Sequence, residues 1–191
     1  MDAFRTFAQP FQSELKEKGS RFIAFGFPVE NEEEIKMHLN ELRQQFPDAT
    51  HHCYAYKLGQ NYRANDDGEP NNSAGLPIYR QILSSGLDQM LIVVVRYFGG
   101  KKLGIPGLIK AYGAAAKSCL ASAPIIERHP IIRYKISASP EFEYQIFEIC
   151  TRCHASLLQD QNHYILTIDN KMVEVFHALC EKFPNLQFEL N

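Results

Sequence analysis

The feature that most restricts the fold of this sequence is an unbroken apolar run of six residues, Met90–Val95. The run is far shorter than the roughly 18 apolar residues that a membrane-spanning helix requires. It is rich in β-branched residues, which favour strands. A strand that is apolar at every position is buried on both faces, whereas a strand with one solvated face alternates. We therefore predict a strand from Met90 to Tyr97 that is buried on both sides.

The residues around this strand alternate between the periodicity of strands and that of helices. Asn31 can cap a helix, with Glu34 at the capping-box position, and Pro47 ends the apolar periodicity that follows. The segment 60–72 is rich in Asn, Asp and Gly and predicts a loop. After an N-terminal extension, the predicted elements are a strand over 20–27, a helix from Asn31 to Pro47, a strand over 52–58, a helix over 73–84 and, after the strand at 90–97, a helix that opens at Pro106.

The pattern restarts beyond Pro124, in the order strand, helix, strand, strand, helix, strand. About 60 residues in this order are typical of the ferredoxin-like βαββαβ fold, a split βαβ unit. The chain is therefore predicted to be α+β with two domains, 1–128 and 129–191. The predicted elements of the second domain are strands over 131–137, 155–159, 164–168 and 186–190, a helix over 140–153 and a helix that Asn170 caps.

Composition limits the environment and the partners of the chain. The 20 Lys and Arg residues against 22 Asp and Glu give a formal charge of −2, which excludes a uniformly basic coat. Five scattered cysteines, an odd number, suit reduced thiols better than a disulfide framework. The first residues carry no sustained apolar segment of the kind found in secretory signals. We expect a cytoplasmic protein with no membrane association.

The charges are unevenly distributed along the chain. Residues 91–135 contain eight Lys and Arg residues and one acidic residue, a local charge of +7. The rest of the chain, which brings the total to −2, therefore carries −9. A concentration of this kind predicts a localised face that binds phosphate groups.

A glycine-rich segment, 99–107, leads from the end of the buried strand into the next helix. Backbone N–H groups at a helix N-terminus, together with adjacent lysines, can bind an anion. The spacing matches neither a Walker loop nor a dinucleotide-binding fingerprint, and close packing alone can also explain the glycines. The candidate anion- or nucleic-acid-binding residues are Arg96, Gly99, Gly100, Lys101, Lys102, Gly104, Gly107 and Lys110.

Histidines and carboxylates supply a second set of candidates. His51 and His52 open a strand, where successive side chains point to opposite faces, so only one of them can face a given site. Asp66, Asp67 and Glu69 place three carboxylates within four residues, enough to hold a divalent cation. The catalytic candidates are His51, His52, Asp67 and Glu69, and the metal candidates are Asp66, Asp67 and Glu69. A structural histidine and an ordinary Asp-Gly turn are the competing interpretations.

Cys150, Cys153 and His154 have the spacing of a covalent haem attachment site. Both cysteines, however, lie on the predicted buried stripe of one helix. A zinc site would need two further ligands, and only His177 and Cys180 come near. We therefore expect no cofactor.

Several blocks together resemble the bacterial members of the YigZ/Impact family, over roughly residues 20–120. The blocks are His51-His52-Cys53-x-Ala55-Tyr56, Asp66-Asp67-Gly68-Glu69-Pro70, Ser73-Ala74-Gly75-x-Pro77, Val94-Val95-Arg96-Tyr97-Phe98-Gly99-Gly100, Lys102-Leu103-Gly104 and Gly107-Leu108-x-Lys110-Ala111-Tyr112-Gly113. The resemblance implies a two-layer α/β N-terminal domain of the ribosomal-protein type, similar to one in the ribosomal translocase factor, followed by a ferredoxin-like domain.

The resemblance also bears on function, because the eukaryotic Impact proteins regulate translation. They do so through an additional partner-binding domain without a counterpart in this sequence, so that route is not expected here. Ile105-Pro106 stands where the family usually has Thr-Gly, which removes a hydroxyl and a backbone donor from the proposed anion loop. Asn72 replaces a usual Gly, a mild change because Asn tolerates positive φ.

The sequence supports three interpretations of function. The leading one is a non-enzymatic protein that binds RNA or the ribosome, with a role in translation regulation. The alternative is a small-molecule enzyme that acts on a phosphorylated or anionic substrate, with a divalent cation at the Asp66/Asp67/Glu69 loop. The third is an adaptor whose C-terminal domain docks a protein partner.

Overall fold

The computed structural model describes residues 3–160 and 163–190. These residues form two compact units. One is Arg5–Glu127, and the other comprises the described residues from Arg128 onward together with those that precede Arg5. The described residues form a mixed α+β structure with three sheets and five α-helices.

The first unit contains most of the regular structure. Its strands are β1 (Phe4–Phe7), β2 (Phe11–Glu17), β3 (Ser20–Pro28), β4 (His51–Leu58), β5 (Asn61–Asn65), β6 (Met90–Tyr97) and β7 (Ile125–Arg128), although Phe4 and Arg128 at the ends of β1 and β7 fall in the other unit. Its helices are α1 (Glu32–Gln45), α2 (Gly75–Ser85) and α3 (Gly104–Ser122). Strands β1 and β7 pair in a two-stranded sheet, and the other five form an antiparallel sheet in the order β2-β3-β6-β4-β5.

Strand β6 is the central strand of that sheet, as its apolar run predicts, and Met90–Val95 is completely buried. Leu91, Val93 and Val95 pack with the apolar residues of α1, whereas Ile92 and Val94 pack with α2 and α3. The sheet thus has helices on both faces, and the predicted two-layer arrangement is wrong. The physical reason is the same apolar run, because neither face of β6 can be left in water.

Local sequence explains where α1 begins but not where α3 begins. The Asn31 side chain accepts a hydrogen bond from the backbone N–H of Glu34 at 2.9 Å and caps α1, as predicted. Helix α3 begins at Gly104 rather than at Pro106. Its small residues Ala111 and Ala115 are buried, and they allow the helix to pack closely on the sheet.

Two segments contain strands that the sequence does not predict. The N-terminal extension forms β1 and β2, and part of the predicted loop 60–72 forms β5. Strand β5 is a polar, largely exposed edge strand that pairs with β4 across a turn at Gly59. Its backbone hydrogen bonds to β4 hold it, so it needs no apolar pattern.

The second unit has the predicted element order. It contains β8 (Ile131–Ser137), α4 (Glu143–Cys153), β9 (Ser156–Asp160), β10 (His163–Asp169), α5 (Val173–Cys180) and β11 (Gln187–Leu190), with short 3₁₀ turns before each helix. The sheet is antiparallel in the order β11-β8-β10-β9. Asn170 does not cap α5: it begins the 3₁₀ turn before that helix, and the side chain of Asp169 caps this turn by accepting from the backbone N–H of Lys171. The predicted turn between β9 and β10 includes 161–162, which lie outside the described residues.

The positions of Cys150 and Cys153 agree with a further expectation. Cys153 is buried and Cys150 packs against the same core, in keeping with their predicted place on the inner stripe of one helix. All five cysteines are free thiols. Across residues 3–160 and 163–190, each helix is too short or too polar to cross a membrane.

Gly19 and Gly99 bring two turns into direct backbone contact beside the ends of β3 and β6. A Cβ atom added to Gly99 would overlap the backbone of Gly19 and Ser20. The Gly99 N–H also donates to Ser20 Oγ at 3.2 Å. This close approach fixes the start of the glycine-rich segment against β3.

We predict that Gly99→Ala lowers the free energy of unfolding by about 2 kcal/mol or more, because the added methyl forces the two backbones apart. Gly113→Ala is the matched control within α3, since its new Cβ would meet only Gln81 Nε2, at 3.8 Å. It should be neutral or stabilising by up to about 1 kcal/mol. Urea unfolding measures both variants, and equal effects would show that the Gly19–Gly99 contact does not constrain the fold.

Candidate functional site

A cavity of about 370 Å³ lies in the first unit, where the ends of β4 and β6 meet the first turn of α3. It is on the face of the sheet that α2 and α3 cover. Five sequence-predicted candidates line it together: His51, Glu69, Arg96, Lys102 and Gly104. The remaining lining residues are Thr50, Pro70, Phe98, Leu103, Ile105 and Leu108.

Glu69 and Arg96 form a buried ion pair in the wall of this cavity. Arg96 Nη1 donates to Glu69 Oε1, and the two side chains are 6% and 4% exposed. The Tyr112 hydroxyl donates to the same Oε1 at 2.8 Å. A carboxylate removed from water in this way needs both a counter-charge and hydrogen bonds, and Glu69 has both.

Two neutral groups continue this network into the core. Cys53 Sγ lies 3.3 Å from Tyr112 Oη and 2.9 Å from the carbonyl oxygen of Asp66. Burial raises the pKa of both Tyr112 and Cys53 well above the ordinary values. Both groups therefore stay protonated near neutral pH and act as hydrogen-bond donors, not as nucleophiles.

Two aromatic rings flank the Arg96 guanidinium. Its carbon lies 5.4 Å from the ring centroid of Phe22 and 5.7 Å from that of Phe98. Phe22 is fully buried, whereas Phe98 is 47% exposed. The Arg96 guanidinium therefore lies between a buried ring, Phe22, and a ring at the cavity surface, Phe98.

His51 turns one ring nitrogen towards Glu69 in the cavity wall. Its Nδ1 lies 2.7 Å from the carbonyl oxygen of Asp67. A carbonyl only accepts hydrogen bonds, so Nδ1 carries the proton and, in the neutral ring, Nε2 holds the lone pair. Nε2 lies 3.8 Å from Glu69 Oε1. A backbone carbonyl that orients the ring in this way is common where histidine binds a ligand or accepts a proton.

His52 lies on the opposite face of the sheet and is not among the cavity residues. Strand alternation separates it from His51, as the sequence predicts for a tandem pair. Its backbone N–H donates to Asp67 Oδ2 at 2.6 Å. Burial lowers the pKa of the His52 imidazole, so this ring is neutral at pH 7.

The acidic loop divides its carboxylates among separate partners. Asp66 Oδ1 accepts from the backbone N–H groups of Ala74 and Gly75, and Oδ2 accepts from that of Asn72, so Asp66 holds the loop against the start of α2. Asp67 bonds the β4 backbone, as described above, and Glu69 bonds Arg96 and Tyr112. Throughout residues 3–160 and 163–190, no three His, Cys, Asp or Glu side chains are grouped so that they could hold a metal ion.

The glycine-rich segment contributes only some of its predicted residues to the cavity. Lys102 and Gly104 line it, whereas Lys101 and Lys110 are exposed but are not lining residues. Gly99, Gly100 and Gly107 are not lining residues. Gly100 and Gly104 have φ values of 81° and 69°, in the left-handed region that glycine adopts most readily, so both allow the backbone to turn at these positions. Asn72 also has positive φ, 60°, in keeping with its expected tolerance of that conformation.

Four contributors to the site are absent from the sequence-based candidates: Ser20, Cys53, Phe98 and Tyr112. Tyr112 follows the buried Leu108 by four residues, which places a polar hydroxyl on the inner face of α3. That spacing is the local pattern that indicates a buried Tyr112. Ser20 contacts Arg96 Nη2 at 3.4 Å across 76 residues of sequence, a pairing that only the folded sheet creates.

Comparison of the sequence with those of known proteins identifies a family. The model of the Impact N-terminal domain matches residues 18–120. The "IMPACT family member in pol 5′ region" of Thermus thermophilus is 49% identical over 105 residues, which cover 55% of this chain and 57% of that protein. An IMPACT family member of Haemophilus influenzae is 31% identical over 182 residues, which cover 90% and 87% of the two chains.

One solved structure is similar over nearly the whole chain. It is described as the crystal structure of a hypothetical protein, is 29% identical, covers 98% of this chain and 97% of its own, and has a TM-score of 0.79. Three curated relatives, the Thermus protein included, are matched over less than two thirds of their own length. The family model nevertheless spans more than half of this chain, and the Haemophilus protein matches nine tenths of it. The chain belongs to the Impact family.

Proposed function

We propose that this protein binds RNA or the ribosome without catalysing a reaction, and that it acts in the regulation of translation. The observation that carries the proposal is the charge at the cavity. Arg96 neutralises the one carboxylate in the wall, so Lys102 leaves the cavity positively charged. Lys101 is exposed next to Lys102 in the chain. The translational role is supported by membership of the Impact family, whose eukaryotic members regulate translation.

Only part of the basic segment supports this interface. Residues 91–127, which belong to the first unit, contain five Lys and Arg residues and one acidic residue. Lys110 and Lys117 are exposed on α3. Arg128, Arg133 and Lys135 belong to the second unit, so the proposed face consists of the residues of the first unit alone.

We also propose folds for the two units. The second unit supports a ferredoxin-like domain by its element order, β8-α4-β9-β10-α5-β11, and by its sheet order, β11-β8-β10-β9. In a split βαβ unit, two strands joined through a helix lie on either side of a third, antiparallel strand. Here β10 lies between β8 and β9, and β8 lies between β10 and β11. The division at Glu127 and Arg128 supports a domain boundary near residue 128. For the first domain, we propose a ribosomal-protein-like fold on the resemblance of its sequence.

Salt dependence tests RNA binding directly. Each lysine that contacts a phosphate of single-stranded RNA adds about 0.7 to the slope of log affinity against log salt concentration. If Lys101 and Lys102 each contact a phosphate, Lys101→Gln/Lys102→Gln should weaken binding and reduce the slope by about 1.4. Fluorescence anisotropy with a single-stranded RNA, measured over a salt series, determines both quantities.

Lys36→Gln is the control for this experiment. Lys36 is exposed on α1, which covers the opposite face of the sheet, and its replacement changes the net charge without touching the proposed interface. The control should keep the wild-type slope. Equal slopes for the control and the double variant would refute the interface, and RNA affinity too weak to measure in the wild type would refute the function.

The interface also requires a stable cavity wall, which the Glu69–Arg96 pair supplies. We predict that Glu69→Ala lowers the free energy of unfolding by about 3 kcal/mol or more, because Arg96 is left buried without a counter-charge. Replacing both partners, as Glu69→Leu/Arg96→Met, should restore much of that loss. Chemical denaturation measures the three proteins.

Glu14 provides a matched surface control, since its carboxylate pairs with Arg21 at 2.9 Å where both side chains are partly exposed. Glu14→Ala should cost about 1 kcal/mol or less. A similar small cost for Glu69→Ala would mean that the buried pair does not support the wall.

A second candidate function, catalysis on a small phosphorylated substrate, is favoured by the orientation of His51. A neutral imidazole with Nδ1 held by a carbonyl can accept a proton at Nε2, beside Arg96 and Lys102. The test is product formation from a panel of phosphate esters, with and without Mg²⁺. Under the leading proposal we expect no turnover. Turnover that is lost in His51→Gln and kept in His52→Gln would favour the enzyme instead.

A further inference from the structure

Phe98 is a half-exposed aromatic residue at the cavity that the basic interface does not use. The residue is 47% exposed and directly follows the end of β6 at Tyr97. The backbone beside it is fixed: the Phe98 N–H donates to Thr50 Oγ1 at 3.1 Å, and the Gly99 N–H donates to Ser20 Oγ at 3.2 Å. The ring is therefore presented to solvent by an ordered backbone.

The surroundings of the ring combine apolar surface with positive charge. Phe98 lines the cavity together with Leu103, Ile105 and Leu108, and Ile105 is 52% exposed. Lys102 lines the same cavity. The guanidinium carbon of Arg96, which is ion-paired with Glu69, lies 5.7 Å from the ring centroid, within the distance of a cation–π contact.

This combination matches the chemistry of one unpaired nucleotide. A nucleobase stacks on an exposed aromatic ring and covers apolar surface, while its phosphate pairs with a lysine. A volume of about 370 Å³ lies in the range of small-ligand sites, which admits a single nucleotide but not a duplex. A base inside a duplex has both faces stacked and cannot lie against Phe98.

We propose that the cavity holds one unpaired nucleotide of an RNA strand, with its base on the Phe98 ring and its phosphate at Lys102. The proposal rests on RNA binding at this face and specifies what the face recognises: single-stranded RNA rather than duplex. Lysines alone attract phosphates of either form, so the preference comes from Phe98.

The experiment compares Phe98→Leu with the wild-type protein. The probes are a fluorescent oligouridylate strand, an RNA duplex with the same number of phosphates, and uridine monophosphate. Leu keeps apolar volume and removes the aromatic face. We expect Phe98→Leu to weaken oligouridylate binding about tenfold, the scale of one lost base–aromatic stack, and to leave duplex binding unchanged. The free nucleotide should shift the Phe98 ring resonances in NMR spectra of protein with labelled phenylalanine.

Phe147→Leu is the matched control, because Phe147 is 56% exposed on α4 of the second unit. It should bind both RNAs as the wild type does, and unchanged thermal midpoints verify folding of both variants. If Phe98→Leu binds oligouridylate as tightly as the wild type, or loses strand and duplex binding equally, the nucleotide site is refuted while RNA binding stands. If the wild type binds neither RNA, the proposed function itself fails. Ring shifts with the free nucleotide but no strand binding would assign the cavity to a free nucleotide and overturn the RNA site.

Discussion

Glu69 and Arg96 form the interaction on which the candidate site depends. Arg96 comes from the central strand, Glu69 from the loop before α2, and the hydroxyl that joins them from Tyr112 in α3. One carboxylate oxygen therefore ties three parts of the first unit together. Because both charges are removed from water, neither residue can lose its partner without leaving a costly buried charge. The pair forms part of the wall of the cavity and holds Arg96 beside the Phe98 ring.

The pair also determines the charge of the cavity. Its two members cancel, so the lysine in the lining sets the sign, and the site is suited to an anion. The acidic loop, which in sequence suggests a cation site, uses its carboxylates for the protein backbone and for Arg96 instead. Asp66 accepts three backbone hydrogen bonds, and Asp67 bonds the β4 backbone. A cluster of carboxylates in sequence is thus converted by the fold into loop-stabilising contacts.

Sequence patterns predict the central strand, the order of elements beyond Pro124 and several residues that line the cavity. The apolar run predicts burial of β6, the capping motif predicts the start of α1, and strand alternation predicts that His51 and His52 separate. Patterns fail for β5, because a polar edge strand is held by its neighbour's backbone. They also fail for Tyr112 and Ser20, whose partners are distant in the chain. Local sequence patterns do not predict contacts between residues that are so far apart in the chain.

By itself, the sequence determines which residue types are available and which faces of the elements are apolar, since both follow from local periodicity. It also determines the family, through blocks of residues spread over the first unit. Only the tertiary structure decides that His51 rather than His52 lines the cavity with Arg96 and Lys102, and that Phe98 is exposed beside them. The reason is physical: burial and charge neutralisation depend on which side chains meet across the sheet, and that depends on strand pairing and helix packing between segments far apart in sequence.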